Sequence, residues 1–566
     1  MKSILYLVLP LAWLVAAASA GPASLPRKLI MTGWDSPDTA QFRRDAGSME
    51  QWPFDGAVIY AQGQGGDGRW FDAKAAFSAS HWEPTCLSNA LTDLKSAHPG
   101  KLTDNFLIFG ANPGNVDWFD DAGCKEIQEH CRLLARLAHE GGLKGLLFDP
   151  EAYTEPFKQF WYGNQPRRAE HSFEDYCHKA RQRGREVMAA VTSEFPDAAL
   201  YTYFLFSQCS RALSGDGEPQ SCLSSDGYGL LPSFADGLLD RMPPAVTLID
   251  GNEEAYRYNS EAAFNAAFVR IKNECQALVS PENRPKFRAQ LQVSHGIYLD
   301  AHVNPPSSPW YIDGLGGPRV DRLEQNVASA LRAADQYVWV YGERARWWPP
   351  RQPDAKAPKT WPEVLPGIEF ALLNAKDPAE AARRKLKELR SQGGLTNLLV
   401  NGDFAAGKDG QPESWSRWQD EKESHGSFSH DPAVGVAGPG SACLSAIEHG
   451  CFVQGVKADP GRRYLLCAKV RQSGAGAAWL TARWQTAEGK WTAEDRDMRF
   501  SAPARDDLAS WREVVGIVVV PEGAGQLVVL AGASGQQNPN DRVWFDDVLV
   551  APVVQTPLPT GHAGSE

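Results

Sequence analysis

The chain reads as an α/β protein, a (β/α)8 barrel followed by a β-sandwich. Three observations carry that expectation. Eight short apolar runs spread along residues 28 to 343, helix-period stretches lie between most of them, and the helical period disappears from Thr396 onward. A barrel of this kind builds its active site where the strands run out at their C-terminal ends.

The expected strands, in order, are Lys28–Asp35, Gly56–Ala61, Asn105–Gly110, Gly145–Asp149, Ala199–Phe206, Val246–Asp250, Arg288–Ser294 and Gln336–Tyr341. Between the third and fourth, Asp120 or Asp121 can cap a helix carrying Ile127, Leu134 and Leu137, stopped by Gly141 and Gly142. Ser172 with Asp175 three residues on forms a capping box for a helix running toward Phe195. After Ser260, apolar residues fall at Phe264, Phe268, Ile271, Cys275 and Leu278, alternating four and three apart as one buried stripe requires. Asp321 can open another helix, with Leu323, Val327 and Leu331 on its inner face. A charged helix over Asp377–Ser391 is expected to close the barrel, and Gly393 and Gly394 end it. Beyond it, Arg463–Val470, Ala478–Trp484, Glu513–Val520, Gln526–Ala531 and Arg542–Ala551 read as sandwich strands.

The ends have their own character. An apolar stretch from Ile4 to Ala18 follows Lys2 and closes on Ala18, Ser19 and Ala20, which reads as a secretory signal over residues 1–20 and an exported protein, secreted or periplasmic. The expected division is then a barrel over 21–395, a sandwich over 396–553 and a disordered tail over 554–566. No later stretch is long and apolar enough to span a bilayer. The net charge of −12 becomes −13 once Lys2 is removed, which makes nucleic acid and anionic membranes poor partners. Ten cysteines in an exported chain allow disulfides, with Cys209–Cys222 and Cys443–Cys451 as the expected pairs. There is neither a CxxC pair nor an HExxH helix, so metal and thiol-redox chemistry are weakly supported and no catalytic cofactor is expected.

Asp149 and Glu151 end the fourth run on either side of Pro150, which is tolerated only where strand pairing is ending. Two neighbouring carboxylates repel, and the more buried one keeps its proton to higher pH, as a general acid must. That role is assigned to Glu151 for its longer reach, with Asp149 tuning it or acting as nucleophile; a helix cap or a surface salt bridge is the structural alternative. The second carboxylate is expected from Glu343, on the parity of Trp339 and Tyr341 in strand eight, or from Asp250 at the end of strand six. Glu253 and Glu254 read instead as the start of the next helix, where negative charge meets the dipole favourably. Trp34, Asp35, Tyr60, Asn112, Tyr203, His295, Trp339 and Tyr341 are candidate binding residues at the mouth, each with core packing as its alternative. The aromatic pair Trp347 and Trp348, followed by Pro349 and Pro350, either lines the rim or packs beneath a helix.

Two resemblances follow from these residues. Asn397 to Phe404, with Pro412 and Trp415, closed by Val543 to Val548, resembles the jelly-roll carbohydrate-binding modules attached to bacterial cellulases and xylanases, over about residues 396 to 553. That resemblance implies a sugar-binding or structural appendage and a structural calcium with Asp547 as a ligand. Asp149, Glu151 and Tyr153 with Trp339 are similar to the superfamily of barrel glycoside hydrolases, with an echo of the chitinase type. It implies hydrolysis of a polysaccharide or oligosaccharide by carboxylate acid/base chemistry. The chain departs from that pattern at strand seven, which offers Gln290, Gln292, Ser294 and His295 where a second Glu is usual. The alternative is a non-catalytic carbohydrate-binding protein on a degenerate barrel.

Overall fold

The computed structural model describes residues 25–553 apart from 67, 152, 154–157, 215–218, 349–358, 421–425, 503–506 and 508. The expected export signal, the tail after Val553, and Pro349 and Pro350 lie outside the described residues. Two compact units are present: Phe54–Tyr298 and Ser329–Tyr341 with the chain up to Glu50, and Gln51–Pro53 and Leu299–Ala328 with the chain from Gly342. No helix among the described residues is long and apolar enough to cross a membrane.

The first unit is a parallel barrel of β1 (Lys28–Gly33), β2 (Gly56–Ile59), β3 (Phe106–Gly110), β4 (Gly145–Asp149), β5 (Ala199–Thr202), β6 (Thr247–Asp250), β7 in two pieces (Leu291–Val293 and His295–Tyr298) and β8 (Tyr337–Gly342). The first piece of β7 pairs with β6 and the second with β8, which in turn neighbours β1, so the strand interrupted at Ser294 completes the ring. The seventh expected run started too early, because Arg284–Gln290 is helical and Leu291 begins the strand.

Helices fill the connections as the periodicity requires. In α1 (Asp121–Glu140), the Asp120 carboxylate accepts from the N–H groups of Ala122 and Gly123 at 3.1 and 3.0 Å. The capping box of Ser172 and Asp175 opens α2 (Phe173–Glu194). Ser260 caps α3 (Glu261–Val269). The helix expected to open at Asp321 begins two residues earlier, as α4 (Arg319–Ala333), which places Asp321 in its first turn.

Alternation along the strands fills the barrel with aromatic tiers. Tyr201 meets Phe106 edge-on at 5.3 Å and Tyr337 at 5.7 Å, and one tier up Tyr203 stacks on Trp339 at 4.6 Å. Gly296 is required opposite Trp339, since a Cβ there would lie 2.7 Å from that ring and 2.8 Å from Tyr256.

The second unit holds two five-stranded antiparallel sheets. One orders β9 (Ser416–Gln419), β12 (His449–Lys457), β17 (Gln526–Ser534), β14 (Ala477–Gln485) and β15 (Met498–Ser501) as 9-12-17-14-15. The other orders β10 (Ser427–Asp431), β11 (Ser441–Ser445), β18 (Arg542–Val553), β13 (Arg463–Ser473) and β16 (Arg512–Val519) as 10-11-18-13-16. The opening and closing segments meet: Val548 N–H donates to Gly402 O at 2.8 Å and Asn397 Nδ2 to Val548 O at 2.9 Å. Helix α5 (Pro378–Ser391), capped by Asp377, was expected to close the barrel. Its apolar face is committed to the sandwich instead, where Ala382, Leu386 and Leu389 join Leu465, Cys467, Ile517 and Leu549 in one core cluster. All ten cysteines carry free thiols, so neither expected disulfide forms; Cys443 and Cys451 lie in different sheets, and Cys222 is exposed while Cys209 is buried.

Candidate active site

Because the barrel strands are parallel, residues just past their C-terminal ends share one end of the ring. Asp149, the last residue of β4, points inward on the parity of Leu147, and its side chain is buried at 1% exposure. Pro150 ends the strand and the chain turns, so that Glu151 N–H donates back to Asp149 Oδ1 at 3.1 Å. The Tyr153 hydroxyl bonds Glu151 Oε2 and lies 3.4 Å from Asp149 Oδ2. Asn112, two residues past β3, pins this turn from the neighbouring strand: its Nδ2 donates to Glu151 O at 3.3 Å and its Oδ1 accepts from Tyr153 N–H at 2.9 Å.

The electrostatics reverse one expectation. Burial, and then the charge of Glu151, push the Asp149 carboxyl up to about 7. Asp149, not Glu151, is therefore the buried member of the pair, since the longer side chain lies beyond the strand end and is only half-buried. Glu253 opens a short helix, Glu253–Arg257, as read from the sequence, and also belongs here. Asn252 adopts a left-handed backbone (φ 46°) that turns the chain after β6, and burial followed by the charges of Glu151 and Asp149 pushes Glu253 up to about 8. The sequence signal was the Gly251–Asn252 turn, which allows a positive φ.

The other expected residues divide by placement. Tyr203 (7% exposed) bonds Thr32 Oγ1 at 2.6 Å, and Trp339 is fully buried with Nε1 donating to Gly251 O at 2.8 Å. Tyr341 stands above them, 6.2 Å from Tyr203 and 6.0 and 6.1 Å from Tyr256 and Tyr298. Those two tyrosines escaped the sequence reading. Tyr60 donates to Asp72, and its ring lies 5.7 Å from the Lys74 ammonium, the cation that opposes the rise at Asp149. Trp34, 75% exposed, and half-buried Asp35 follow β1 at the same end. Beside Pro150 a cavity of about 290 Å³ opens between Lys158, Phe160, Trp161 and Tyr228.

Two candidates are used elsewhere. Asp250 is fully buried and accepts from the N–H groups of Leu205, Ser207 and Asn252 and from Ser207 Oγ at 2.6 Å, which commits its oxygens to holding the β5 and β6 loops. His295 has the opposite parity to Gly296; it is fully buried, packs edge-on against Phe264 of α3, and accepts from Asn252 Nδ2 at 2.9 Å. Glu343 follows Gly342, the last residue of β8, and its backbone N–H donates to Asp300 at 2.9 Å. Trp347 and Trp348 are buried, Trp347 lying 5.1 Å from Trp52 and 6.2 Å from Trp361, which is the packing alternative. In the sandwich, Asp547 has φ 47° and donates its N–H to Asp546; among the described residues no group of three or more His, Cys, Asp or Glu side chains gathers as a metal site.

A phenol carries one proton, so it cannot donate fully to two carboxylates together. The single hydroxyl proton therefore serves one carboxylate at a time, and the 3.4 Å separation from Asp149 Oδ2 is the longer of the two. Sharing one phenol keeps the two carboxyl groups within about 6 Å at their nearest oxygens.

No family model matches the chain, and no curated protein is similar to it. Among solved structures, it is 15% identical to the enzymatically active domain of tailspike protein 4 of bacteriophage CBA120, covering 28% of this chain and 21% of that one with a TM-score of 0.23. The CBM22-1–GH10 modules of endo-1,4-β-D-xylanase 10B from Clostridium thermocellum share 14% identity over 25% of this chain and 26% of that one, with a TM-score of 0.19. An arabinose-bound MgGH51 α-L-arabinofuranosidase shares 19% identity over 28% and 27%, with a TM-score of 0.22. The chain thus spans between 21% and 27% of the length of these three structures.

Proposed function

We propose that this protein is an exported glycoside hydrolase that cleaves a polysaccharide or oligosaccharide with Glu151 as its acid/base. The reading rests on one observation: Asp149 and Glu151 converge on the Tyr153 hydroxyl at the C-terminal end of the barrel, above an aromatic floor. Trp339 and Tyr203 form the base of that floor, and Tyr341 meets the C–H face of a sugar ring while the ring's hydroxyls bond elsewhere. Asp149 passes its proton through the Tyr153 hydroxyl to Glu151, Glu151 delivers it to the glycosidic oxygen as the bond to the leaving sugar breaks, and a water adds to the anomeric carbon and returns a proton to the ionised pair. Glu253, held protonated near neutral pH by burial, donates a hydrogen bond to a sugar hydroxyl and is not the base. On a substrate bearing an N-acetyl group, the carbonyl oxygen of that group is the nucleophile and Asp149 and Tyr153 hold it in place.

Release of reducing ends from a panel of polysaccharides tests the reading. Wild type is expected to cleave at least one of them, and Glu151→Gln to lose about 10²–10⁴-fold in kcat while retaining binding. Sugar binding by both proteins with cleavage by neither would make this a binding protein.

A further inference from the structure

Exposed aromatic rings of the first unit gather at one end of the barrel. Among its described residues, the aromatic side chains that stand more than half exposed are Trp34, Trp70 and Tyr153, which follow β1, β2 and β4. Trp34 and Tyr153 belong to the mouth already described. Trp70, 64% exposed, stands on a two-stranded hairpin of Gln62–Gln64 and Trp70–Asp72 that leaves the end of β2. Strand alternation decides which way it faces. Phe71 turns inward, where it is buried against Trp82 at 5.5 Å and lies so close over Gly63 that a Cβ there would sit 2.3 Å from its ring. Gln62, Gln64, Trp70 and Asp72 therefore share the outer face.

Tyr60 joins that face to the mouth. Its hydroxyl donates to Asp72, and its N–H donates to Pro37 O at 2.8 Å in the loop that carries Trp34. The base of the hairpin is tied down as well, since Ala73 N–H donates to Ala61 O at 3.1 Å. Trp70 is two residues from Asp72 along the strand, so it stands about 7 Å from it on the same face. Gln64 pairs with Trp70 across the hairpin and donates its Nε2–H to Gly68 O at 2.8 Å, which holds its amide plane. The indole offers a flat apolar surface and the two amides beside it offer donors and acceptors, the set that the C–H face and the hydroxyls of a sugar ring require. A purely apolar partner would strip water from those amides without replacing its hydrogen bonds. We propose that the outer face of this hairpin is an outlying subsite for the same sugar chain that enters the barrel mouth, so that the substrate is a polysaccharide reaching from Glu151 past Tyr60 to Trp70. One sugar unit stacks on Trp70 and bonds Gln62 and Gln64. This rests on the mouth being the place where the chain is held, and it narrows the substrate to a polymer.

Kinetics of the full chain on the polysaccharide it cleaves and on the trisaccharide of the same linkage test it. Trp70→Ala is expected to lower kcat/KM about 3–10-fold more on the polymer than on the trisaccharide, through KM, and Trp70→Phe to restore most of the loss. Tm is expected to stay as in wild type, because an exposed ring does little for the fold. An unchanged ratio between the two substrates would overturn the subsite and leave the hydrolase reading standing. Affinity electrophoresis of Glu151→Gln, with and without Trp70→Ala, through gels of xylan, mixed-linkage β-glucan and glycol chitin covers the opposite case. Retardation that Trp70→Ala weakens supports the subsite even where nothing is cleaved; equal retardation of the two proteins, or none in any gel together with no cleavage, overturns it. Sedimentation completes the set: a wild-type dimer that Trp70→Ala renders monomeric would assign the face to a second copy of the chain and overturn the subsite.

Discussion

At the scale of the residue, the Asp149–Tyr153–Glu151 chain makes the sharpest demand. If Tyr153 relays the proton, Tyr153→Phe lowers kcat by about 10–10²-fold with KM nearly unchanged on a substrate without an N-acetyl group, where the phenol touches the carboxylates and not the sugar. Steady-state kinetics on the substrate found by the panel checks this, and a rise in KM alone would contradict it. The raised carboxyls also act on stability. Asp149 sits at about 7 and Glu253 at about 8, against 3.8 and 4.5 for the free groups. A carboxyl raised in the fold keeps a proton that the unfolded chain has already lost. Stability is therefore highest below the unfolded value and falls as pH rises toward the folded value, by at most about 1.4 kcal/mol per pH unit for each group. Calorimetric scans between about pH 5 and pH 7 are expected to show Tm falling with pH in wild type and falling less in Asp149→Asn; equal slopes would refute the assignment. The sequence located this pair but inverted its burial. Strand parity treats residues on either side of Pro150 alike, whereas the chain leaves the ladder at Asp149 and carries Glu151 outward. Burial depends on where a strand stops, and single-residue patterning does not fix that.

At the scale of the element, neighbouring strands hold the site rather than β4 alone. Asn112 reaches across from the end of β3 to bond the backbone on both sides of residue 152. Asn112→Ala is expected to lower kcat about tenfold or more by loosening Glu151, while costing no more than about 1–2 kcal/mol of stability, read from urea denaturation. Gly296→Val tests the tier below. Its side chain would displace Trp339 and Tyr256, costing about 1–3 kcal/mol and weakening substrate binding, while unchanged Tm and KM would show the floor to be less tightly packed. The strands themselves were legible because most barrel strands are buried on both faces and so read as short apolar runs; Gly145–Asp149 fell where the sequence put it. Boundaries failed where local chemistry was ambiguous. The seventh run was misplaced because the helix Arg284–Gln290 leads directly into Leu291, with no glycine or capping residue to mark the change. In the sandwich, Ser416–Gln419 and Met498–Ser501 escaped notice because most of their side chains are exposed and carry no alternation.

At the scale of the whole molecule, α5 decides where the sandwich begins as a folding unit. The period of Asp377–Ser391 announced an amphipathic helix, but not which surface would receive its apolar stripe. That depends on which partner offers a complementary face, and long-range pairing of this kind leaves no mark on the helix sequence. In the structure, Leu386 and Leu389 cover Leu465, Cys467, Ile517 and Leu549, the outward-facing side chains of β13, β16 and β18. A fragment starting at residue 396 would therefore bare that apolar patch, whereas one starting at residue 377 keeps it covered and retains Asp377 as the helix cap. The longer fragment is expected to be monomeric and to unfold cooperatively, and the shorter one to bind a hydrophobic dye and self-associate. Within the longer fragment, Leu386→Ala should cost about 2–4 kcal/mol in urea denaturation, as removal of a buried leucine does. If both fragments proved equally stable and dye-silent, the helix would be a passive connector and the sandwich core would close without it.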